Sequence, residues 1–177
     1  MPLTPLHYPI AFIVYLASKK NLDLPVLVVS SMLPDIEIPV VWLLSNGSYD
    51  RLILHSFLGS IVFGLPLTIF LLYPLYKMFF SKILNSRTVF SQHRSMKILV
   101  ISCLIGLVSH VIVDALHHPY NPLFWPFSPL SFGGIILFGN LILASNLTYM
   151  VFTVLLVSIF IYAVLNGKNL ILQLFIR

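Results

Sequence analysis

Charge is what this chain has least of. Only 8% of its 177 residues are Asp, Glu, Lys or Arg, against about 25% in an ordinary soluble domain. That shortage excludes a solvated globular surface. The single cysteine, Cys103, excludes a disulfide framework and a thiolate metal site, and its apolar setting predicts a space-filling role between helices. The opening "MPLTPLHYPIAF" has no basic n-region, which argues against a cleaved signal peptide. No internal repeat and no low-complexity linker divides the chain, so residues 1–177 are read as one domain. The net charge of +5 does not point to nucleic acid, because the basic residues stand beside apolar runs where membrane topology explains them.

What the chain has instead is hydrophobic length. Apolar residues make up 59% of it and the mean hydropathy is +1.00. The expected fold is an all-α integral membrane protein, a polytopic helical bundle of four or five hydrophobic segments with short half-helices. Leu6 to Ser18 is too short to span and predicts a partial helix. Leu24 to Leu44 is long enough but is interrupted by "SSMLPDIEIP", where Pro34 predicts a bend. Leu52 to Phe80 and Lys97 to Ala115 read as spans. The apolar stretch from Gly133 to Leu165 is too long for one span, so a short helix or re-entrant piece is expected before a last span from about Asn146. The tail "NGKNLILQLFIR" is expected along the membrane surface.

The basic residues orient this arrangement. Lys77, Lys82, Arg87, His93, Arg94 and Lys97 fill one connector, and Lys19-Lys20, Lys168 and Arg177 lie at other segment ends. The positive-inside rule makes all of them cytoplasmic in a cell (plasma or inner) membrane, and leaves Asp50-Arg51 and the loop from His117 to Ser131 on the outer side.

Against this background the ionisable residues inside the apolar segments stand out. Three of the five acidic residues, Asp35, Glu37 and Asp114, lie there, and of the six histidines only His93 sits among the connector's basic residues. An Asp at a span's centre costs roughly 2.5–3.5 kcal/mol on insertion scales, so such residues have partners or a role. Counting about 1.5 Å per residue puts His7 and His110 roughly 20 Å from the inner face, Asp35 roughly 17 Å, His55 a little over roughly 20 Å and Asp114 roughly 26 Å. Four segments thus bring five candidate metal ligands, His7, Asp35, His55, His110 and Asp114, to one layer in the outer half of the bilayer. His110 and Asp114 are four apart on one helix face, with His117 three further on. Imidazole and carboxylate without thiolate suit a divalent transition metal, zinc first, with manganese or iron as alternatives. Glu37, about 200° from Asp35 on an ideal helix, is the candidate general base. His117 and His118 are the candidate catalytic groups for a leaving group.

Each residue also has a plainer reading. His7 could anchor an interfacial helix, His55-Ser56 could make an interhelical hydrogen bond, and His110 with Asp114 could be a structural ion pair. His117 and His118 could be solvated loop residues, and Phe124, Trp125 and Phe127 an interfacial aromatic belt. The sequons at Asn46 and Asn146 arise readily by chance.

Four stretches, "MPLTPLHYPIAF", "SSMLPDIEIP", "HSFLGSIVFGLPL" and "GLVSHVIVDALHHPYNPLFWPFSP", together resemble the membrane-bound metal-dependent hydrolases, the group that includes the LexA-binding, inner-membrane-associated hydrolases. The resemblance covers most of residues 1–130 and extends distantly to zinc-dependent phospholipase C. It implies that His7, Asp35, His55, His110 and Asp114 fall on the group's metal-site positions. A second His-x-x-x-Glu motif is not evident. The expected function is metal-dependent hydrolysis of a membrane lipid or lipid-linked phosphoester from the outer side. A membrane metal or proton transport subunit, and a non-catalytic protein with a structural metal, are the rival expectations.

Overall fold

Proline and serine set where the helices begin. In the computed structural model, which describes residues 4–85, 90, 94–128, 130–131, 139–165 and 169–176, a 3-10 turn at Thr4–His7 leads into α1, Tyr8–Ala17, with Pro9 in its first turn. At ten residues α1 reaches about 15 Å, half a bilayer core. The chain then reverses through Lys19 and Lys20, both in the left-handed region at φ 54° and 63°. Asp23 caps α2, Leu24–Met32, by accepting from the Val26 amide at 3.0 Å.

At Pro34 the helix changes type. The span does not stop, but α2 tightens into a 3-10 turn at Leu33–Ile36 before α3, Glu37–Leu44, continues it. Next comes an irregular strap, residues 45–56, which ends at Ser56. That serine is extended and its hydroxyl accepts from the Gly59 amide at 3.0 Å, capping α4, Phe57–Ile83. The third span therefore starts five residues later than its hydropathy suggested, because the amides of Leu52, Leu54 and His55 go to a side chain instead of a helix. Within α4, two stretches around Pro66, Ser60–Gly64 and Leu67–Leu72, are π-helical.

Ser95 caps α5, Met96–His117, and α6 is Leu141–Leu165. Among the described residues four helices, Leu24–Leu44, Phe57–Ile83, Met96–His117 and Leu141–Leu165, are long and apolar enough to cross a membrane; the chain is an all-α integral membrane protein. The last short helix, α7 at Leu170–Phe175, is held at the bundle by Tyr8, whose hydroxyl donates to the Leu174 carbonyl at 2.6 Å, and by Tyr76, donating to that of Phe175 at 2.8 Å. α6 begins five residues before the expected start of the last span at Asn146, and residues 133–138 of the expected short helix or re-entrant piece lie outside the described residues, as do Arg87, His93, Lys168 and Arg177 of the topology reading.

α2 is the centre of the bundle. One side joins Tyr8, Phe12 and Tyr15 of α1 and Ile159 and Ala163 of α6; the other joins Ile69, Cys103 and Leu107. A helix apolar all round is one buried all round. Its most extensive contact is with α5, at Gly106, where any Cβ would fall on Ser30 Oγ and lie 2.9 Å from the Leu27 carbonyl oxygen. Small residues at a helix crossing let backbones approach, which is how helices associate without water to expel. This crossing brings the 3-10 turn with Asp35 beside the C-terminal half of α5.

Candidate metal centre

Four side chains from three parts of the fold meet above that crossing. Asp35 comes from the 3-10 turn, His55 from the strap, and His110 and Asp114 from one face of α5. The separations form a cage. His55 Nε2 lies 3.3 Å from Asp114 Oδ2, 3.4 Å from His110 Nε2 and 3.8 Å from Asp35 Oδ1. His110 Nε2 lies 3.6 Å from each of those two carboxylate oxygens. Ligand atoms about 2.0–2.1 Å from a tetrahedral zinc stand about 3.3–3.4 Å apart, so these five edges fit one ion with small contraction.

Tautomers are fixed in the sense a metal needs. His55 Nδ1 donates to Glu37 Oε1 at 2.8 Å and His110 Nδ1 donates to the Ser31 carbonyl at 2.7 Å. Carboxylate and carbonyl accept, so both Nε2 atoms are turned towards each other and the carboxylates, where positive charge is needed between them, as a proton on His55 or as a metal ion. Asp35 Oδ2 and Asp114 Oδ1 are buried without a hydrogen-bond partner. The donor set thus fits a divalent cation, and the chain is a metal-binding membrane protein by its geometry.

Glu37, the candidate base, has no oxygen to spare. Oε1 accepts from the Leu52 and His55 amides at 2.8 and 3.3 Å besides the imidazole, and Oε2 accepts from the Leu54 amide at 2.7 Å. The two carboxylates that an ideal helix would point apart instead address opposite nitrogens of one ring, because the strap carries His55 between them. Glu37 is a positioning residue. Glu37→Gln, whose NH2 would meet an N–H donor, is expected to weaken metal binding by about 10–100-fold, read by competition with a chromophoric chelator. An unchanged affinity would mean that Glu37 does not orient His55.

His7 lies against the cage on its far side. Its ring stacks on His110 with centroids 3.9 Å apart, and its Nε2 is 3.5 Å from Asp114 Oδ1, the oxygen turned away from the cage. His117 and His118 are buried instead of solvated. Both lie beside Asp114, the three offering ligand atoms within 4.8 Å of one another. His117 Nδ1 donates to the Val113 carbonyl at 2.7 Å, leaving its buried Nε2 unpartnered. Burial first, and then the Arg51 charge, hold the His118 ring down to about 3 against the pull of Asp114. It is therefore neutral and accepts from Arg51.

Arg51 is the residue that sequence reasoning left in the outer loop. It is the largest fully buried side chain of the described residues. Its Nε donates to Asp114 Oδ2 at 3.1 Å, Nη1 to Asp50 Oδ2 at 2.6 Å, and Nη2 lies 3.1 Å from His118 Nε2. One signal pointed to it: it is the one Lys or Arg that the positive-inside reading leaves on the outer side. Asn121, also buried, closes the loop over the site by donating from Nδ2 to the Asp114 carbonyl at 2.8 Å.

Residues 6–173 match the YdjM inner membrane protein family. The chain belongs to that family. The match spans nearly the whole sequence and agrees with the resemblance carried by the motifs of residues 1–130. No curated protein and no solved structure matches the chain. Membership of the family adds the membrane setting to the cage; the chemistry rests on the side chains.

Proposed function

We propose that this family member is a metal-dependent hydrolase of a lipid or lipid-linked phosphoester, with its site towards the outer side and residues 77–97 and the C-terminus cytoplasmic. The observation that carries it is the Asp35–His55–His110–Asp114 cage with its imidazoles held by Glu37 and Ser31. A divalent ion there, zinc or else manganese or iron, supplies Lewis acidity. Structural zinc sites are rich in thiolate, and a staple would need no further imidazoles. Here His7 and His117 keep buried nitrogens without partners beside Asp114. His117 Nε2 is the group set to exchange a proton with a leaving oxygen. His118 is tied to Arg51.

Transport is the less favoured reading. Below the cage the bundle is closed by Val26, Leu33, Ile69, Cys103 and Leu107, and Ser30, Ser31 and Ser102 each donate to a carbonyl of their own helix. Among the described residues that packing places no Asp, Glu or His between the cage and Asp23 at the start of α2.

The test is hydrolysis of a fluorescent phospholipid by zinc-loaded protein in detergent, with elemental analysis alongside. Turnover and about one or more metal ions per chain, both lost in a monodisperse His110→Ala variant, are expected. Metal without turnover across phosphoester substrates would favour the staple. A folded wild type that takes up no metal would sink both.

A further inference from the structure

A buried guanidinium next to a metal cage is costly to keep, and its hydrogen bonds show what it is kept for. Arg51 links the surface to the cage in a line of three residues. Asp50 is 31% exposed by side chain, Arg51 2% and Asp114 0%. Nε is committed to Asp114 Oδ2, the oxygen that also faces His55 and His110. The outer edge of the fork is held differently: Nη1 goes to Asp50, the most exposed of the three partners, and Nη2 to an imidazole nitrogen that accepts because a guanidinium only donates. Planar guanidinium is suited to two parallel bonds to a phosphoryl group, and such charge-assisted pairs give both geometry and energy.

We propose that Arg51 is the anion-recognition residue of this site, that its ligand is a phosphate group, and that Asp50 is a displaceable carboxylate occupying the phosphate's place. The inference deepens the hydrolase reading and rests on it for the identity of the reaction, but not for the binding event. An incoming phosphate takes Nη1 from Asp50 and Nη2 from His118, while Nε stays on Asp114. His118 Nε2 is then freed beside the same ligand. A neutral ester or amide offers no charge to replace that of Asp50, so it would leave the fork closed.

The measurement is equilibrium binding of a phosphate probe to metal-loaded, detergent-purified protein, with metal content checked in every sample. One arm uses inorganic phosphate and the other a short-chain phosphatidic acid in neutral detergent, which separates free phosphate from a lipid headgroup. Arg51→Gln should weaken phosphate binding by about 10–100-fold in at least one arm, as expected for losing a charge-assisted pair, when excess zinc brings its metal content level with wild type to offset the loss of the Asp114 contact. Asp50→Asn should strengthen it several-fold, about the effect of removing a competing charge. A purely structural arginine would not produce that gain. Equal affinity in wild type and Arg51→Gln in both arms, or a gain absent in Asp50→Asn, overturns the proposal, and so does an Arg51→Gln variant that loses metal together with phosphate. If phosphate binding behaves as stated while no ester is turned over, the hydrolase reading fails and the anion site stands.

Discussion

Asp114→Ala will cost the protein its metal and a large part of its stability together. Oδ2 of Asp114 is shared between the cage and Arg51 Nε, so alanine removes a ligand and leaves a buried cation short of its partner. Breaking a buried ion pair from one side costs about 3–5 kcal/mol. Asp50 still holds Nη1, which places the expected loss at the lower end of that range. Metal content should fall below about a tenth of wild type. The companion Asp114→Ala/Arg51→Met removes both charges. Its melting temperature in detergent should return most of the way, while its metal content stays near zero. That divergence separates the two jobs of one carboxylate. A single variant that melts like wild type with full metal would refute both.

Gly106→Ala is the second large effect, and it acts from a distance. An added Cβ would fall on Ser30 Oγ and come within 2.9 Å of the Leu27 carbonyl oxygen. Ser30 can be cut back, whereas the carbonyl belongs to the α2 backbone. Overpacking of this kind costs about 1–3 kcal/mol. The same helix supplies the Ser31 carbonyl that holds His110 Nδ1, so parting α2 from α5 also loosens an imidazole of the cage. Metal affinity should drop by about tenfold or more, in line with loss of an orienting partner. Gly106→Ala/Ser30→Ala should recover part of the stability and less of the affinity, because the Leu27 contact remains. An alanine variant with wild-type melting and metal binding would show that the crossing has slack the geometry does not allow for.

Both variants bear on how the site is held. Three of the four cage ligands are fixed by something long-range: His55 by Glu37 across 18 positions, His110 by Ser31 across 79, and Asp114 by Arg51 across 63. Metal binding and folding are therefore coupled, since the unfolded chain has no preformed site. Chelation should lower the melting temperature of wild type but not of Asp114→Ala/Arg51→Met, which a calorimetric scan with and without chelator would show.

The sequence by itself determined the class of molecule, the four spans and the half-helix of α1, because hydrophobic length is a local property read against the thickness of a membrane. It also determined that Asp35, His110 and Asp114 reach similar depth, since rise per residue within a helix is fixed, and that His110 and Asp114 share a face; His55 reaches the same place from the strap instead of from the helix its hydropathy suggested. It could not say which way the remaining residues turn. His7 was at the right depth but faces the far oxygen of Asp114, a matter of how α1 packs on α5. Glu37 was assigned by helical angle, which fails where a strap of no period, residues 45–56, wraps past it and offers its amides. Arg51 looked like a loop charge because burial of a side chain beyond a span's end leaves no periodic trace. Tertiary structure decided those three, since each depends on a contact between elements whose relative rotation no spacing along the chain encodes.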